Sequence, residues 1–333
     1  MTPGPERIPM VAPAPPPVPR LVVQTWGTDV GALRRYWRAA ERLGYHGIVY
    51  GDGLWPWTHD GWAMLGALAA LTRRVRIGPA VTYLHGDAYR HPALLAKAAV
   101  AVDALSGGRL DLRLGVGAGD AATAASWQRF GIAYPKGQER VEQMAEGIHA
   151  VRSLWSGEEA SLAGAWYRLD RARLAPRPIQ RPHPPIWVAA MRPRMLRLAG
   201  ELADGWEASH LTAEEFAAKG RALEAACRRA GRNPRSLARS LEVDVVTGAD
   251  RGGVERSARA FCRARGIRLE DPLLRAALLG TPAALRDQVA RLAAAGATHL
   301  TLSFADFPRL AMLRLAAPAL LSASPVAAKP ETR

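Results

Sequence analysis

The sequence has little cysteine and no long apolar segment. Only two cysteines, Cys227 and Cys262, occur in 333 residues. They are too few for a disulfide framework, so we expect a reduced, cytoplasmic protein. No run of about eighteen consecutive apolar residues is present, so no membrane-spanning helix is expected. The proline-rich stretch 3–19 has no continuous apolar block and does not match a secretory signal peptide.

Motifs for several kinds of chemistry are also missing. Neither the Gly-x-Ser-x-Gly nucleophile elbow nor the phosphate-binding loop of nucleotide hydrolases occurs. No histidines, cysteines or carboxylates have a spacing that predicts a metal site. Helix-turn-helix, zinc-finger and RNA-binding signatures are absent as well. We therefore expect no protein nucleophile, no resident metal and no nucleic-acid partner.

Acidic residues are scarce relative to basic ones. The chain has 45 lysines and arginines against 30 aspartates and glutamates, a formal net charge of +15. Two interpretations are open: arginine-rich surface helices that interact only with solvent, or attraction of an anionic ligand. Among anionic ligands, a cofactor fits better than nucleic acid, because the nucleic-acid motifs are missing.

The stretch Ser106–Asp120, SGGRLDLRLGVGAGD, organises the rest of the sequence. Its first three residues are predicted to end a helix, because glycine accepts the left-handed conformation that a helix end needs. Leucine or valine then occupies every second position from 110 to 116, which indicates a strand. Gly115, Gly117 and Gly119 leave the strand end without side chains, so a flat ligand can lie against the backbone.

The glycine spacing argues against a dinucleotide-binding fold. It is Gly-x-Gly-x-Gly, whereas that fold has Gly-x-Gly-x-x-Gly at the start of a helix. The following residues, 120–128, are alanine-rich without a clear apolar stripe, so no such helix is expected directly after the glycines. We interpret the stretch as a glycine-lined strand end in a barrel rather than a Rossmann fold.

Eight short apolar runs alternate with helical patterns along the chain. Strict alternation indicates a parallel sheet, and eight units indicate an α/β protein of the (β/α)8 TIM-barrel type with insertions. We expect a barrel over 20–321, a disordered proline-rich lead at 1–19 and a loose tail at 322–333. The predicted strands are Leu21–Trp26, Gly47–Tyr50, Val75–Val81, 110–116, Ile186–Ala190, Gly205–Ala208, Leu241–Thr247 and His299–Phe304.

The active site of such a barrel lies where its strands end. The loop 51–60, GDGLWPWTHD, is the richest of these places. Its tryptophans either pack or form an aromatic wall for a planar ligand, Asp52 can accept hydrogen bonds from a ligand, and His59 is a candidate acid or base. Residues 189–193 lead into a helix start and, with Arg192, form a candidate anion site. Because few acid–base groups stand at these ends, a cofactor is expected to supply the reactivity.

Six segments, in order, resemble the bacterial luciferase-like oxidoreductases, which use reduced flavin mononucleotide (FMN) or the deazaflavin coenzyme F420. They lie within a match that extends from about residue 21 to residue 304, and together they are more specific for the superfamily than for one reaction. The resemblance implies a luciferase-like TIM barrel. The segments are Arg90–Leu95, Leu105–Leu110, Leu114–Gly117, Pro184–Val188, Ala203–Trp206 and Gly280–Pro282.

The resemblance also implies roles for single residues. Asp52, Pro56 and Trp57 resemble the Asp-x-x-x-Pro-Trp pattern of deazaflavin-dependent sugar-phosphate dehydrogenases. In those enzymes the aspartate contacts the cofactor and the tryptophan lines the reacting face. Ala80 and Val81 fall where the family often has a non-proline cis peptide behind the tricyclic ring. Ala190–Met191 falls where backbone groups hold the cofactor phosphate.

Two positions depart from the dehydrogenase pattern. Gly53 stands where those enzymes have histidine directly after the aspartate. Their catalytic glutamate after the glycine strand corresponds to Ala118 in the ungapped register, and Asp120 takes its place only after a shift of two residues. We therefore name Asp120 as the candidate proton donor, with Trp57 and His59 as the other candidate catalytic residues.

The leading hypothesis is hydride transfer between F420 and a small organic substrate. The ring would pack against Ala80, Val81 and the Gly115–Gly117 strand end, with Trp57 on the substrate side, and the basic surface would attract the oligoglutamate tail of F420. One alternative is a monooxygenase that uses reduced FMN and oxygen with a partner flavin reductase. Another is a flavin- or F420-binding protein without catalysis.

A homodimer through the apolar face of helix Pro92–Leu105 stays open, since that face also suits the barrel wall.

Overall fold

A computed structural model describes residues 18–85 and 91–322. The strands are β1 (Arg20–Thr25), β2 (Gly47–Tyr50), β3 (Arg76–Pro79), β4 (Thr82–Tyr83), β5 (Leu112–Gly115), β6 (Ala160–Ala163), β7 (Arg168–Ala172), β8 (Ile186–Ala189), β9 (Gly205–Ser209), β10 (Ala238–Thr247), β11 (Leu278–Gly280) and β12 (His299–Phe304). The α-helices are α1 (Val30–Leu43), α2 (Gly61–Leu71), α3 (Pro92–Ser106), α4 (Ala121–Gln128), α5 (Gly137–Trp155), α6 (Pro193–Leu202), α7 (Ala213–Arg229), α8 (Arg251–Arg265), α9 (Pro272–Arg275), α10 (Pro282–Ala294) and α11 (Ala311–Leu321).

The predicted barrel is confirmed. Its strands follow the order β3-β2-β1-β12-β10-β9-β8-β5-β4, and the neighbours are parallel. β3 and β4 are consecutive pieces of one strand position, and β5 contacts both. Ile77 pairs with Leu110, and Thr82 pairs with Leu114. These contacts join the two ends of the sheet, so eight strand positions close into a barrel.

Local signals in the sequence set the helix ends. The carboxylate of Asp29 accepts a hydrogen bond from the Ala32 amide at 2.9 Å and so begins α1. Gly44, with φ of 96°, ends that helix in the left-handed conformation. α3 begins at Pro92 and ends before Gly107, whose φ is 67°. The predicted helix end at the start of the glycine stretch is therefore confirmed.

The barrel strands are buried on both faces, since helices cover the outside and side chains fill the inside. All six residues of β12 and all four of β5 are buried. In β5 this includes Arg113, whose side chain points into the barrel toward β9 and β12. A charged group inside the barrel requires a partner there, because burial of an unpaired charge is costly.

Three elements differ from the sequence prediction. A helix, α4, does open directly after the glycines, although none was expected there. It buries only Trp127, which is why no apolar stripe is visible in the sequence. The antiparallel hairpin β6–β7 was not predicted either. The last helix begins at Ala311 rather than at Phe307, because a turn over 305–308 precedes it.

The proline-rich stretch 176–185 connects the hairpin to β8 within the same barrel. It packs on α3, where the carboxylate of Asp103 accepts hydrogen bonds from the amides of Ile179 at 2.7 Å and Gln180 at 3.1 Å.

Within 18–85 and 91–322, no helix combines the length and hydropathy that a membrane span requires. Most of the predicted lead (1–17) and tail (323–333), and Arg90 of the first matching segment, lie outside the described residues.

Candidate cofactor-binding and active site

A cavity of about 540 Å³ opens where the parallel strands end. We call it the central cavity. It includes seven of the eight residues that the sequence nominated for cofactor binding, namely Ala80, Val81, Gly115, Gly117, Ala190, Met191 and Arg192. Its other described lining residues are Gln24, Trp55, Tyr83, Val116, Ala118, Gly119, Ala189, Met195, Glu207, Ser209 and Glu242. Residues far apart in the sequence meet here because the carboxyl ends of all eight strands face the same side.

One wall of the central cavity is formed by the junction of β3 and β4 and by the end of β5. The peptide bond between Ala80 and Val81 is cis, as the resemblance implies. A Cβ atom on Gly115 would lie 2.7 Å from Cγ2 of Val81, so no larger residue fits between these strands. Gly117 has φ of 71°, which glycine adopts without strain. The glycines thus add no side chain of their own to this wall, which Val81 and Tyr83 also line.

The end of β8, the neighbour of β5 in the sheet, continues the lining of the cavity. The backbone groups of Ala190 are already hydrogen-bonded: its amide donates to the Glu207 carbonyl at 2.9 Å, and its carbonyl accepts from Nε1 of Trp206 at 2.8 Å. The carbonyl of Met191 accepts from Nζ of Lys219 at 3.0 Å. The amide and the carbonyl of Ala190 are therefore already engaged within the protein, and a phosphate contact through Ala190 or Met191 stays a prediction.

A second cavity, of about 1020 Å³, adjoins the central one and is rich in arginine. We call it the arginine cavity. It shares Val116, Gly117 and Gly119 with the central cavity and contains the first residues of α5 and α6. Neither helix has a side-chain hydrogen bond at its N-cap, so the first amides face the cavity without that partner. Its arginines are Arg140, Arg192, Arg194 and Arg197.

Arg140 fixes the boundary between these two cavities. Its guanidinium donates to the carbonyl oxygens of Val116 at 2.7 Å and Ala118 at 3.0 Å. It also lies 4.1 Å from the ring centroid of Tyr134. These contacts hold the chain after the glycines in place and leave positive charge facing the arginine cavity. Cationic side chains beside two helix N-termini favour an anion.

A third cavity, of about 380 Å³, lies on the other side of the central one and is lined by Trp26, Trp55 and Trp57. We call it the tryptophan cavity. The rings of Trp55 and Trp57 are stacked, with centroids 5.1 Å apart and planes 10° apart. Trp57 is 50% exposed, and it lines this cavity only, whereas Trp55 borders both. The sequence nominated Trp57 and missed Trp55, although the two stand in the same loop.

A buried ion pair forms part of the barrel interior below the central cavity. The guanidinium of Arg113 donates to Oε1 of Glu207 at 2.6 Å, and both side chains are almost fully buried. The same oxygen accepts from Oγ1 of Thr301 at 2.6 Å. Glu207 is therefore ion-paired and hydrogen-bonded at one end of the cavity.

Glu242 is a second carboxyl group in the cavity wall, and its role was not predicted from the sequence. It lines both the central and the tryptophan cavity. Burial, and then the nearby charges of Glu207 and Asp244, raise the pKa of Glu242 to about 7. The signal in the sequence was the alternation of Ser240, Glu242 and Asp244 within an apolar barrel strand, since every second residue of such a strand faces inward.

A charged cluster closes the tryptophan cavity beyond Glu242. The guanidinium of Arg265 donates to Oδ1 of Asp244 at 2.9 Å, and Nδ1 of His210 lies 3.6 Å from Oδ2. Burial raises the pKa of Asp244, and burial also lowers the pKa of His210. Among the described residues, no three histidines, cysteines or carboxylates are grouped so that they could hold a metal ion.

Asp52 lies behind the wall of the central cavity rather than in it. Its side chain is 1% exposed, and Oδ2 accepts a hydrogen bond from Oγ1 of Thr82 at 2.6 Å. Nε1 of Trp62 donates to the same hydroxyl at 3.0 Å. Asp52 thus helps to hold Thr82, the residue directly after the cis peptide, in position. Direct contact with a cofactor stays a prediction.

The other two candidate catalytic residues have structural partners. Nε2 of His59 lies 3.0 Å from the carbonyl oxygen of Thr28, and because a carbonyl only accepts, this nitrogen carries the proton. Asp120 is the N-cap of α4: it accepts from the amide of Thr123 at 2.8 Å and from its hydroxyl at 2.9 Å. Those bonds lower the pKa of Asp120, which favours a carboxylate over a proton donor. Catalytic roles for both stay predictions.

Comparison with known proteins relates this arrangement to a family. Residues 14–299 match the model of the luciferase-like monooxygenase family. The chain is 35% identical over 176 residues to an F420-dependent glucose-6-phosphate dehydrogenase of Nakamurella multipartita, covering 50% of this chain and 49% of that protein. It is 34% identical over 223 residues to an F420-dependent hydroxymycolic acid dehydrogenase of Mycobacterium tuberculosis, covering 64% and 58%. The chain thus spans about half the length of the curated relatives it matches.

Solved structures share the fold at lower identity. An F420-dependent secondary alcohol dehydrogenase in complex with an F420–acetone adduct has a TM-score of 0.73 at 18% identity, with 91% of this chain and 99% of that one covered. The monooxygenase RslO1 from Streptomyces bottropensis has a TM-score of 0.75 at 24% identity, with the same coverages. Together with the family match over most of the chain, the barrel and its glycine-lined cavity show that this protein belongs to the luciferase-like monooxygenase family.

Proposed function

We propose that this protein is an oxidoreductase that transfers a hydride between coenzyme F420 and a small organic substrate. The observation that carries the proposal is the central cavity, which is flanked on one side by arginines and on the other by tryptophans. Relatives named as F420-dependent dehydrogenases support the choice of cofactor. The proposal assigns the three cavities to the ring, the anionic tail and the substrate, respectively.

The residues present fit a three-ring cofactor with an anionic tail. Ala80, Val81, Gly115 and Gly117 contribute small side chains or none, so a flat ring can lie against them beside Tyr83. The arginine cavity, with the starts of α5 and α6, suits phosphate and carboxylate groups of the tail. When bound, F420 supplies the hydride chemistry. The protein then has to orient the ring, hold the substrate beside it and exclude water.

The tryptophan cavity suits the substrate. Trp55 borders both it and the central cavity, so a molecule against this ring lies next to the proposed ring site. Stacked indoles offer apolar area and planar faces, which hold an apolar or planar group with little loss of conformational entropy. Near-attack placement of this kind contributes several kcal/mol to lowering a barrier (about 7–11 kcal/mol in favourable cases).

A second candidate function is a monooxygenase that uses reduced FMN and oxygen, with a partner flavin reductase. Gly53 favours it, because the histidine of the dehydrogenase pattern is missing and oxygen chemistry needs fewer protein acid–base groups. Structural neighbours that are monooxygenases show that the same fold accompanies such proteins. The third candidate is a protein that binds the cofactor without catalysing a reaction. Absence of turnover of the bound cofactor would favour it.

Equilibrium titration of the purified protein with F420 and with FMN, followed by fluorescence, tests the cofactor. We expect tighter binding of F420, and micromolar affinity for FMN without binding of F420 would overturn the proposal. Ala189→Leu, at the rim of the central cavity, should weaken binding. Ala172→Leu, a similarly half-buried strand-end alanine in β7, is the matched control.

Turnover separates the enzyme from the binding protein. Reduced F420 is mixed with a panel of carbonyl compounds, and its reoxidation is followed under anaerobic conditions. Reoxidation by a substrate supports the proposed function, whereas binding with no reoxidation supports a protein that only holds the cofactor. In a separate aerobic assay, formation of an oxygenated product from reduced FMN that a flavin reductase supplies supports the monooxygenase.

The proposal includes a cytoplasmic location and a homodimer. Cys227 and Cys262 are buried and free, which agrees with a reducing compartment. α3 exposes Leu94 at 67% and Leu105 at 61%, an apolar face that a second copy can cover. Sedimentation of the protein and of a Leu94→Glu variant tests the dimer, which the variant should dissociate.

A further inference from the structure

We propose that Glu242 exchanges the proton that accompanies hydride transfer, and that the substrate is a carbonyl compound or the corresponding alcohol. The inference rests on the proposed function. Under this proposal Glu242 is the acid–base group of the reaction. Gly53 cannot supply one, and the position after the glycine strand provides no obvious candidate. Glu242 lies on β10, a strand that the sequence resemblance did not connect with the chemistry.

The first support is the position of Glu242. It lines the central cavity together with Ala80, and it lines the tryptophan cavity together with Trp55 and Trp57. Glu207 lines the central cavity only, and Asp120 lines the arginine cavity. Among the described lining residues, Glu242 is therefore the carboxyl group at the boundary between the proposed ring and substrate sites. A proton acceptor or donor is needed at that boundary, where the reacting carbon must lie.

The second support is the neighbouring carboxylate. Glu207 stands opposite Ser240 in the register of β9 and β10, two residues before Glu242 along the strand. Its Oε1 atom accepts hydrogen bonds from Arg113 and Thr301, and Glu207 forms a buried ion pair with Arg113. A fixed negative charge beside a second carboxyl group disfavours ionisation of that group. Glu207 therefore acts as a positioning residue that retains the proton on Glu242.

Groups on the other surrounding elements also affect the pKa of Glu242. Asp244, on the same strand, adds negative charge, whereas Arg265 on α8 and a hydrogen bond with Gln24 on β1 favour the ionised form. Arg265 is engaged with Asp244, which His210 also approaches. Burial and Glu207 outweigh these groups, so the pKa of Glu242 is raised to about 7. Both protonation states are then populated at neutral pH, as a group that donates and accepts a proton requires.

The proton balance of the step is simple. In reduction, the carbonyl carbon gains a hydride, and the electron pair of the C=O π bond takes the proton from the carboxyl of Glu242. The product is an alcohol, and Glu242 is left as a carboxylate. The hydride and its two electrons come from the reduced cofactor, which is oxidised. In the reverse direction the carboxylate of Glu242 removes the hydroxyl proton of the alcohol. Substituents of the carbonyl would lie against the indoles of Trp26, Trp55 and Trp57.

Infrared difference spectroscopy of the protein without added cofactor tests the acid directly. We expect a protonated-carboxyl C=O band that disappears as pH rises, with a midpoint near 7. The band should be absent in Glu242→Gln, and its midpoint should move to lower pH in Glu207→Gln. Glu201→Gln, an exposed residue of α6, is the control and should leave the band unchanged. A midpoint in the ordinary glutamate range, or a band that survives in Glu242→Gln, would overturn the inference.

Kinetics test the role of the acid. Glu242→Gln should lower kcat by about 10²–10⁴-fold and remove the pH limb near 7, with the Kd of F420 changed by less than about threefold. Glu242→Asp should restore part of kcat. If Glu242→Gln retains the wild-type rate and pH profile, the inference fails although the proposed function stands. If wild-type protein does not bind F420, the proposed function fails, and the reaction assigned to Glu242 fails with it even if the infrared titration detects the acid.

Discussion

The indole ring of Trp55 occupies the space that a side chain at position 53 would need. A Cβ atom built on Gly53 would overlap Cζ3 and Cε3 of that ring. In the dehydrogenases that the sequence resembles, position 53 carries histidine. Here the loop uses the same space for an aromatic wall, which Trp57 extends by stacking. An acid–base group must then come from another part of the barrel.

Substitution of Gly53 should displace Trp55. Gly53→Ala places a methyl group against the indole, and because Trp55 is only half-buried, we expect the ring to move. The loss of stability should be at the low end of the range for overpacking, about 1 kcal/mol. Near-ultraviolet circular dichroism should show loss of the stacked pair. Gly119→Ala is the matched control, since a Cβ there would contact nothing within 4 Å. An unchanged spectrum in Gly53→Ala would contradict the overlap.

Removal of Arg113 should destabilise the barrel strongly. Arg113→Met leaves the buried carboxylate of Glu207 without its cation, because Arg113 and Glu207 are joined at 2.6 Å inside the barrel. Breaking such a pair costs about 3–5 kcal/mol, which we expect as a lower free energy of unfolding in urea. The double variant Arg113→Met, Glu207→Gln should recover most of that loss, because no uncompensated charge remains. Equal losses in the single and the double variant would show that packing, not charge, determines the effect.

His85 should make the protein sensitive to acid. It is 4% exposed among Tyr83, Trp127 and Tyr134, and neither ring nitrogen has a hydrogen-bond partner within the part of the chain that the structure describes. Burial lowers the pKa of His85 from 6.5 to about 4. The unfolded chain therefore binds a proton below pH 6.5 that the folded protein excludes, and stability falls as pH decreases from 6.5 toward 4.

His85→Phe removes this titration and keeps an aromatic ring. Between pH 6.5 and 4, the variant should gain stability relative to wild type by up to about 1.4 kcal/mol per pH unit. Above about pH 7 the two proteins should differ by less than about 1.5 kcal/mol, because the swap roughly conserves volume. Urea unfolding at several pH values measures this difference. A difference that does not depend on pH would show that His85 titrates normally in the folded state.

The arginine cavity should contribute salt-dependent affinity for the cofactor. Arg192→Gln and Arg197→Gln each remove a charge that lines it. We expect the Kd of F420 to rise about threefold to tenfold per substitution at low ionic strength, which corresponds to about 0.6–1.4 kcal/mol. The effect should shrink in high salt, since exposed charges are screened. Arg229→Gln, an exposed arginine at the end of α7, is the control and should leave Kd unchanged. An equal loss for all three variants would point to net charge rather than to this cavity.

The barrel was predictable because its signals are local. Each barrel strand is a short apolar run. At the two ends of α1, Asp29 has a side chain that accepts a hydrogen bond from the helix, and Gly44 adopts the left-handed conformation that ends it. α4 and the hairpin β6–β7 were missed for the complementary reason. α4 buries a single residue, and the hairpin alternates weakly, so neither has a clear period in the sequence.

The candidate site was predictable only in part. Gly115, Gly117, Ala80 and Val81 were found because small residues at consecutive strand ends leave an open face on which a flat ligand can lie. Glu242 was not found, because the sequence does not show which residue lies across the barrel from a glutamate in a strand. Asp52 and Asp120 were placed by pattern alone, and hydrogen bonds to Thr82 and Thr123 give each of them a structural role.

The amino-acid order by itself determined the eight-strand barrel and the bare wall of glycine and alanine at its rim, because periodicity and side-chain size act over a few residues. Tertiary structure alone decided which charges meet. Arg113 reaches Glu207 across 94 residues of sequence, and that pair in turn sets the surroundings of Glu242. The reason is that electrostatic interactions depend on distance in space and on burial, and closure of the barrel fixes both.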